Sequence, residues 1–259
     1  MKAKELMAEL FQWADADISH YEKTCDTLKA GDPDRELHRV AVAMFGTVDI
    51  IRQAHAWGAD LLLVHEPLFY NHWDEAFPAP VAEAKEKLLR DSGMTVYRYH
   101  DHPHYRQPDM ICAGELEFLG LTGKFENRAW AVNRITLDVP ITPAQLVRRM
   151  HRKLHIDHPR LAGAADLPMT KISLCFGTPG GVFEELQDSE IEMVLTGEAC
   201  EWALAEYARD AAALGFRKAL IVMGHIGSER DGMRLLTDYL QEKYPVFTVR
   251  YFECGEVYR

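Results

Sequence analysis

Histidine and carboxylate residues are concentrated in three short segments of this sequence. Residues 65–67 are His-Glu-Pro, residues 100–104 are His-Asp-His-Pro-His, and residues 224–229 are Gly-His-Ile-Gly-Ser-Glu. Imidazole and carboxylate ligands without thiolate suit zinc, manganese, iron, cobalt or nickel, and they disfavour a purely structural zinc site. If the three segments meet in the folded chain, they would form a metal site with mixed nitrogen and oxygen ligands.

An apolar stretch that is typical of a buried strand precedes each of these segments. The three stretches are residues 61–64, 94–99 and 219–223. In an α/β protein, parallel strands present their carboxyl ends to one crevice, and ligands bind there. We therefore expect the three segments to converge at the ends of three strands.

Each segment taken alone also has an explanation that needs no metal. His65 could be a structural histidine held by a backbone hydrogen bond, and residues 100–104 could be an exposed polar loop. His225 and Glu229 could belong to a helix cap, where a carboxylate is favourable. Clustered imidazoles repel one another when protonated, however, and a bound cation holds them neutral. Three such segments after three apolar strands favour metal binding.

The candidate metal ligands are the imidazoles and carboxylates of the three segments: His65, Glu66, His100, His104, His225 and Glu229. Six ligands exceed the need of one tetrahedral ion, so we expect two divalent transition-metal ions, whose identity stays open. The candidate catalytic residues are His100 and Asp101, which would move protons during the attack of water. Asp101 and His102 could equally orient the ligands or be solvated loop residues.

Strand and helix patterns alternate along most of the chain, which predicts α/β layers around parallel or mixed sheets. A turn-rich connection is expected at residues 24–35, and Thr142 is the expected N-cap of the helix that begins near Pro143. The expected strands are 38–45, 60–64, 94–99, 129–137, 171–176, 192–195, 217–223 and 246–252. The other expected helices are 3–13, 47–57, 80–90, 114–119, 198–213 and 232–241.

The length of 259 residues allows one large domain or two lobes that share a crevice. Residues 58–66 and 216–229 each lead a strand into a histidine and a glutamate, a crude internal echo that favours two similar α/β halves. We expect two α/β lobes with mixed sheets that face each other across a central crevice. The expected lobes are 1–125 with 190–259, and a middle segment of 126–189.

Composition narrows the classes of partner. The formal net charge of −11 should repel nucleic acid, and the densest basic stretch, 148–153, is better explained as a solvated helix face. Five scattered cysteines indicate neither a disulfide framework nor a thiolate zinc site. No signal segment or membrane span is recognisable, so a cytoplasmic protein is expected.

The three segments resemble the NIF3-like family, also called DUF34 and often designated type 2 GTP cyclohydrolase I. Its members carry His-His-Pro after an apolar strand, then His-x-x-x-Asp, then Gly-His-x-x-Ser/Thr-Glu near the end. Here Glu66 replaces the second histidine, and His104 replaces the aspartate. The two exchanges compensate, so the charge of the family's five ligand positions is unchanged. These positions are His65, Glu66, His104, His225 and Glu229.

The resemblance implies a two-metal site between two α/β lobes and a homo-oligomer, frequently a toroidal hexamer. It also implies that Glu229 bridges the metals and that His100 is a further ligand or a proton shuttle. The first hypothesis is therefore a metal-dependent hydrolase of a small, nucleotide-like molecule. The alternative is a metal-containing regulatory or partner-binding protein without catalysis. An open coordination position and a pocket would favour the hydrolase.

Three further segments have weaker links to this site. Tyr70, Asn71 and His72 could contact a substrate because they follow the first segment. Residues 177–181 are glycine-rich but lack the lysine of a phosphate-binding loop, so a nucleotide would need the metals as its anchor. Residues 196–198 end another strand and could reach the same crevice, although a helix N-terminus is the better explanation.

Overall fold

The computed structural model describes residues 1–15, 22–75, 77–129 and 132–258. The chain divides into two compact units, each built around one mixed sheet, and the expected α/β class with two mixed sheets is confirmed. Unit 1 comprises Met1–Gln107 and Met233–Gly255. Unit 2 comprises Pro108–Gly232 and a short stretch from Glu256 onwards. Within the described ranges, no helix combines the length and the apolar character that crossing a lipid bilayer requires.

The elements are numbered in chain order. The strands are β1 (Leu28–Ala30), β2 (Arg39–Ala43), β3 (Leu61–Val64), β4 (Thr95–Arg98), β5 (Gly123–Ala129), β6 (Val132–Ile141), β7 (Arg160–Gly163), β8 (Met169–Cys175), β9 (Met193–Thr196), β10 (Ala219–Val222) and β11 (Thr248–Phe252). The helices are α1 (Ala3–Ala14), α2 (Val48–Trp57), α3 (Pro80–Ser92), α4 (Asp101–Tyr105), α5 (Met110–Leu119), α6 (Pro143–Leu154), α7 (Val182–Gln187), α8 (Glu206–Ala213) and α9 (His225–Lys243).

The sheet of unit 1 has the strand order β1-β4-β3-β2-β11. Strands β2, β3, β4 and β11 are parallel, and β1 is antiparallel to β4. All four residues of β3 are buried, as expected for a central parallel strand that is covered on both faces. On one face, Leu62 and Val96 pack with Ile50 of α2 and Leu89 of α3. The two central strands β3 and β4 are therefore rigid supports for the residues that follow them.

The sheet of unit 2 has the order β5-β6-β8-β9-β10-β7, and β8, β9 and β10 are parallel. Successive side chains of a strand point to opposite faces, and β10 shows this directly. Ile221 packs into a core with Leu116 of α5 and Leu146 of α6, whereas Leu220 packs into a second core with Leu186 of α7. Helices thus cover both faces and leave the carboxyl ends of the three parallel strands at one edge.

Several strand predictions were incomplete at the sheet edges. Strands β1, β5 and β7 were missed, and each is an outer, antiparallel strand of its sheet. β5 contains Lys, Glu, Asn and Arg, because an outer strand needs no continuous apolar run. Of the expected strand 129–137, residues 130 and 131 lie outside the described residues. The described part belongs to the end of β5 and to β6, which continues to Ile141.

Helix limits also differ from expectation. The segment 100–104, for which an exposed polar loop was the alternative explanation, is buried and lies mostly in the short helix α4. Helix α9 begins at His225 instead of residue 232. The expected helix 198–213 begins at Glu201 with a π-helical stretch before α8. Helix α5 begins at Met110 and packs in the core of unit 2, so the unit limits differ from the expected lobe limits near residues 125 and 190. The predicted N-cap Thr142 is confirmed, since its hydroxyl accepts the N–H of Gln145.

Candidate metal centre

The ends of β3 and β4 bring together three of the predicted ligands in unit 1. The two strands are neighbours and parallel, with Val64 opposite Arg98, so His65 and His100 emerge at the same edge. His104 follows one helical turn after His100 and lies on the same side. The ring centroids are 4.6 Å apart for His65 and His100, 5.1 Å for His65 and His104, and 5.0 Å for His100 and His104. All three side chains are buried, and each offers a nitrogen within 4.8 Å of the other two.

Hydrogen bonds fix which nitrogen of two of these rings carries the proton. Nδ1 of His65 lies 3.1 Å from the carbonyl oxygen of Tyr99, and Nδ1 of His100 lies 3.0 Å from Oδ1 of Asp101. A carbonyl and an ionised carboxylate only accept, so each Nδ1 is the donor and Nε2 is the nitrogen that faces Glu66. The two Nε2 atoms lie 4.0 Å and 3.7 Å from Oε1 of Glu66. Such fixed imidazoles are the form in which histidine binds a metal.

The buried guanidinium of Arg98 supports the same edge. Its Nε donates to the carbonyl oxygen of His65 at 2.9 Å, and its Nη2 lies 3.7 Å from Oε2 of Glu66. Its Nη1 lies 3.7 Å from Asp74, which also pairs with Lys29 at 3.1 Å. Arg98 therefore holds the chain after β3 in place and partly compensates the charge of Glu66.

A second buried carboxylate, Asp26, holds the segment that carries His100 and His104. Its Oδ1 accepts the N–H of His100 at 2.5 Å and that of Asp101 at 3.0 Å. Its Oδ2 accepts the N–H of His102 at 2.8 Å and Nδ1 of the same residue at 2.6 Å. Asp26 thus satisfies the amino-terminal N–H groups of α4, which otherwise have no partner within the helix.

His102 takes a different position from the three clustered histidines. Its ring stacks on Phe11 with a centroid distance of 4.2 Å, and its Nδ1 bonds to Asp26. This histidine therefore belongs to the packing of α4. Asn71 bonds to the backbone of Phe69 and Glu75, which gives it a role in the shape of its own loop. Neither observation tests a contact with a substrate.

Burial and neighbouring charges set the protonation of this cluster. Burial, together with the imidazoles of His100 and His104, lowers the pKa of His65 well below its ordinary value, so this ring is neutral at pH 7. For Asp101, burial alone would raise the pKa, but hydrogen bonds from His100, Thr24 and the backbone of Cys25 lower it below the ordinary range. A neutral imidazole at His65 and an ionised carboxylate at Asp101 are protonation states compatible with metal binding.

In unit 2, the ends of the three parallel strands β8, β9 and β10 carry a second group. Nδ1 of His225 lies 2.7 Å from Oε1 of Glu198, which follows β9. Nε2 of His225 lies 3.3 Å from Oε2 of Glu229, one turn further along α9. Glu229 is buried, with 2% of its surface exposed. The predicted pair His225 and Glu229 is therefore brought together, and both carboxylates touch the same imidazole.

Two glycines allow the backbone to approach this group closely. Gly177 follows β8 with φ of +64°, and a Cβ on it would lie 2.4 Å from Oε1 of Glu229. Its N–H donates to Oγ of Ser228 at 3.0 Å, and that hydroxyl donates to the carbonyl oxygen of His225 at 2.9 Å. A Cβ on Gly197 would lie 2.6 Å from the same Oγ. Gly177 thus lies against the carboxylate of Glu229, at a position where a side chain would not fit.

Three contributors were missed or undervalued in the sequence. Residues 196–198 do not begin a helix, because the helical stretch starts at Glu201, and Glu198 contacts His225 instead. Arg98 had a usable signal, since it is the only charged residue in the apolar stretch 94–99. Asp26 had none, because only the folded chain brings it to α4, more than seventy residues away.

The donors present fit divalent transition-metal ions. Unit 1 offers three buried imidazoles and Glu66, and unit 2 offers His225 with Glu229 and Glu198. Grouping three buried imidazoles is unfavourable unless a cation or hydrogen bonds organise them, and the hydrogen bonds found occupy Nδ1 in two of them. Convergence of the first two segments is confirmed. That all three segments serve one centre stays a prediction.

Comparisons with known proteins find relatives that match this chain over most of its length. The chain is 23% identical over 256 residues to the GTP cyclohydrolase 1 type 2 homolog of Pyrococcus abyssi, which covers 96% of this chain and 97% of that protein. It is 24% identical over 242 residues to the homolog of the same name from Chlamydia pneumoniae, covering 85% and 86%.

Solved structures show the same fold. The protein ybgI, of unknown function, superimposes with a TM-score of 0.82 at 18% identity, covering 99% of each chain. Reduced HcgD from Methanocaldococcus jannaschii gives 0.77 at 17% identity, covering 97% of each chain. The family model described as Duf34/NIF3 (NGG1p interacting factor 3) matches residues 1–255. The chain therefore belongs to the Duf34/NIF3 family.

Proposed function

We propose that this protein binds two divalent transition-metal ions and uses them to hydrolyse a small, nucleotide-like molecule. The observation that carries the proposal is the buried cluster of His65, His100 and His104, in which two rings are fixed by their Nδ1 atoms. The name of the relatives, GTP cyclohydrolase 1 type 2 homolog, supports a nucleotide as the substrate class. When bound, the ions would supply Lewis-acid activation of water and of the substrate.

We assign the ligands to the two groups described above. His65, Glu66, His100 and His104 are the ligands from unit 1, and His225 and Glu229 are those from unit 2. The compensating exchange between Glu66 and His104 supports a shared function, because it keeps three histidines and two carboxylates in the family positions. Glu229 is proposed as the ligand that contacts both ions.

The His100–Asp101 pair is proposed to handle the proton at the site. Asp101 is ionised and accepts four hydrogen bonds, from Thr24, from the N–H and the thiol of Cys25, and from His100, so it orients His100 and stays negatively charged. His100 then presents Nε2 either as a ligand or as a proton acceptor. Metal content distinguishes the two roles, because His100→Ala lowers it only if His100 is a ligand.

The first experiment is elemental analysis of the purified protein, which gives the identity and number of metal ions per chain. We expect two equivalents of a transition metal. Glu229→Gln is expected to lose tight binding of at least one ion with the fold intact, because the amide is nearly isosteric but uncharged. Glu201→Gln, at an exposed residue of the same unit, is the control. Unchanged stoichiometry in Glu229→Gln would exclude its bridging role.

Three outcomes separate the parts of the proposal. Absence of metal after reconstitution with zinc, manganese and iron would overturn metal binding itself. Two bound ions without turnover of GTP, phosphoesters or cyclic amides would overturn the hydrolase and favour a regulatory or partner-binding protein. Turnover that disappears with chelator and returns with metal would support the hydrolase.

The resemblance also leads us to propose a homo-oligomer, with a hexamer as the expected state. Light scattering coupled to size-exclusion chromatography tests it. A mass near that of the 29.5-kDa chain would contradict it.

A further inference from the structure

The basic segment of α6 has no part in the proposed metal chemistry, and it lines a separate cavity in unit 2. The cavity has a volume of about 460 Å³ and is bounded by α6, by the turn after α5 and by the end of β6. We infer that this cavity, here called the arginine pocket, binds the phosphate group of a small molecule. Its volume lies within the usual range for small-molecule sites.

Three guanidinium groups face the arginine pocket: those of Arg148, Arg149 and Arg152. None of the three forms an ion pair with a carboxylate in the part of the chain that the structure describes. Elsewhere in unit 2, by contrast, Arg134 pairs with Glu185 and Arg217 pairs with Glu192. Arg148 and Arg152 are exposed to solvent, and three cations without carboxylate partners among the described residues give the cavity a positive potential that attracts an anion.

Helix α5 explains only part of this charge. It ends at Gly120, whose carbonyl oxygen accepts a hydrogen bond from Nη1 of Arg149 at 3.3 Å. Lys153 also lies there, since a Cβ on Gly120 would be 3.0 Å from its Nζ. Cations at a helix carboxyl end are favourable, so Arg149 and Lys153 have a structural role. Arg148 and Arg152, one turn apart on α6, bond to no carboxylate or carbonyl in the described residues and are left for a ligand.

The chemistry of the lining selects the ligand. Guanidinium groups donate parallel N–H bonds that match a phosphate, and Arg148 and Arg152 can both reach one anion from the same face of α6. The wall opposite is partly apolar, with Leu121, Leu137 and Ile141 mostly buried. A nucleic-acid surface would instead need an extended basic track, which this acidic chain lacks. A small phosphorylated molecule with an apolar or planar body fits both walls.

The test is calorimetric titration with pyrophosphate and with ATP. Each is titrated into the full chain after chelator treatment and after reloading with metal. We expect binding in both preparations, because the arginine pocket contains no metal ligand. Arg148→Gln with Arg152→Gln should weaken binding at least tenfold, as expected for the loss of charge-assisted hydrogen bonds. Arg209→Gln is the control, since Arg209 is an exposed arginine of the same unit that pairs with Glu206.

Several results would overturn the inference. These are no binding of either probe, binding that is equal in the double variant, or binding that disappears with chelator. A DNA duplex is the comparison probe. If it binds more tightly than ATP and depends on the same two arginines, the ligand of the arginine pocket is a nucleic acid and not a small molecule. Because the titration is also done without metal, failure of the proposed metal function would leave this test valid.

Discussion

At the scale of single residues, ligand types were easier to predict from the sequence than the groups that hold them. The type and spacing of His65, His100 and His104 indicate ligands, because few other roles place so many imidazoles after apolar strands. Asp26 and Arg98 act through backbone atoms of residues far along the chain. Their contribution depends on tertiary contacts, which a single sequence does not contain.

Asp26 gives the first prediction at this scale. Asp26→Ala removes the acceptor for three N–H groups of the His100 segment and for Nδ1 of His102. We expect metal affinity to fall by about 10- to 100-fold, the usual effect of losing a residue that orients ligands. Competition with a chromophoric chelator measures it. Asp49→Ala, at an exposed aspartate on α2, should leave the affinity unchanged.

An unchanged affinity in Asp26→Ala would show that the short helix α4 holds its position without this carboxylate. A protein that no longer folds would leave the affinity unmeasured, so circular dichroism accompanies the titration. In that case Asp26→Asn serves instead. It keeps the shape and one acceptor oxygen but removes the charge, and a smaller loss of affinity is expected.

At the scale of elements, burial decides what the sequence reveals. The strands β3 and β10 were predicted because strands buried on both faces are continuously apolar, and β4 was predicted although Thr95 and Arg98 interrupt its apolar run. Outer strands such as β5 have one partner and keep polar side chains, so no apolar pattern marks them. Helix α9 was predicted to begin only at residue 232, whereas it begins at His225 and contains both Gly227 and Gly232.

The approach of Gly177 to Glu229 gives a prediction at the element scale. Gly177→Ala places a Cβ 2.4 Å from Oε1 of Glu229 and also strains a backbone with φ of +64°. We expect a loss of stability of about 1–2 kcal/mol from the strain and, in addition, weaker metal binding because Glu229 must move. Urea unfolding and metal stoichiometry measure the two effects.

Gly215→Ala is the matched control for that variant. Gly215 has φ of +86°, and a Cβ on it would meet nothing within 4 Å. The strain should therefore lower stability in both variants, whereas metal content should fall only in Gly177→Ala. Equal metal content in the two variants would contradict a role for Gly177 in placing Glu229.

At the scale of the whole molecule, alternation of strands and helices predicted the α/β class, whereas the two mixed sheets were expected from the internal echo and from the family resemblance. The limits of the units were harder to predict, since they depend on which core a helix joins. Helix α5 joins the core of unit 2 through Leu116 and Leu119, and the sequence of α5 does not indicate which core it joins. The arrangement of the expected lobes across a crevice stays a prediction.

The stability of the folded chain should also depend on pH through a buried amine on helix α3. Lys85 of α3 is 5% exposed, and its Nζ donates to the carbonyl oxygen of Leu68 at 2.5 Å. Burial lowers the pKa of Lys85 from 10.5 to about 8, although Asp74 acts in the opposite direction. Between these two values the unfolded chain binds more protons than the folded chain, so this residue makes stability rise with pH from about 8 to 10.5.

Replacing Lys85 by Met should remove that rise. The free energy of unfolding of Lys85→Met should exceed that of wild type most at pH 7.5, where wild type buries a charge. This advantage should be lost by pH 10. The change in the difference should be on the order of 2 kcal/mol, because one pKa unit corresponds to about 1.4 kcal/mol. Urea unfolding at both pH values measures it, with Lys87→Met as the control, since Lys87 is exposed on the same helix. Other groups that titrate in this range cancel between the proteins, so a difference that stays constant with pH would show that the amine at position 85 keeps its ordinary pKa in the folded chain.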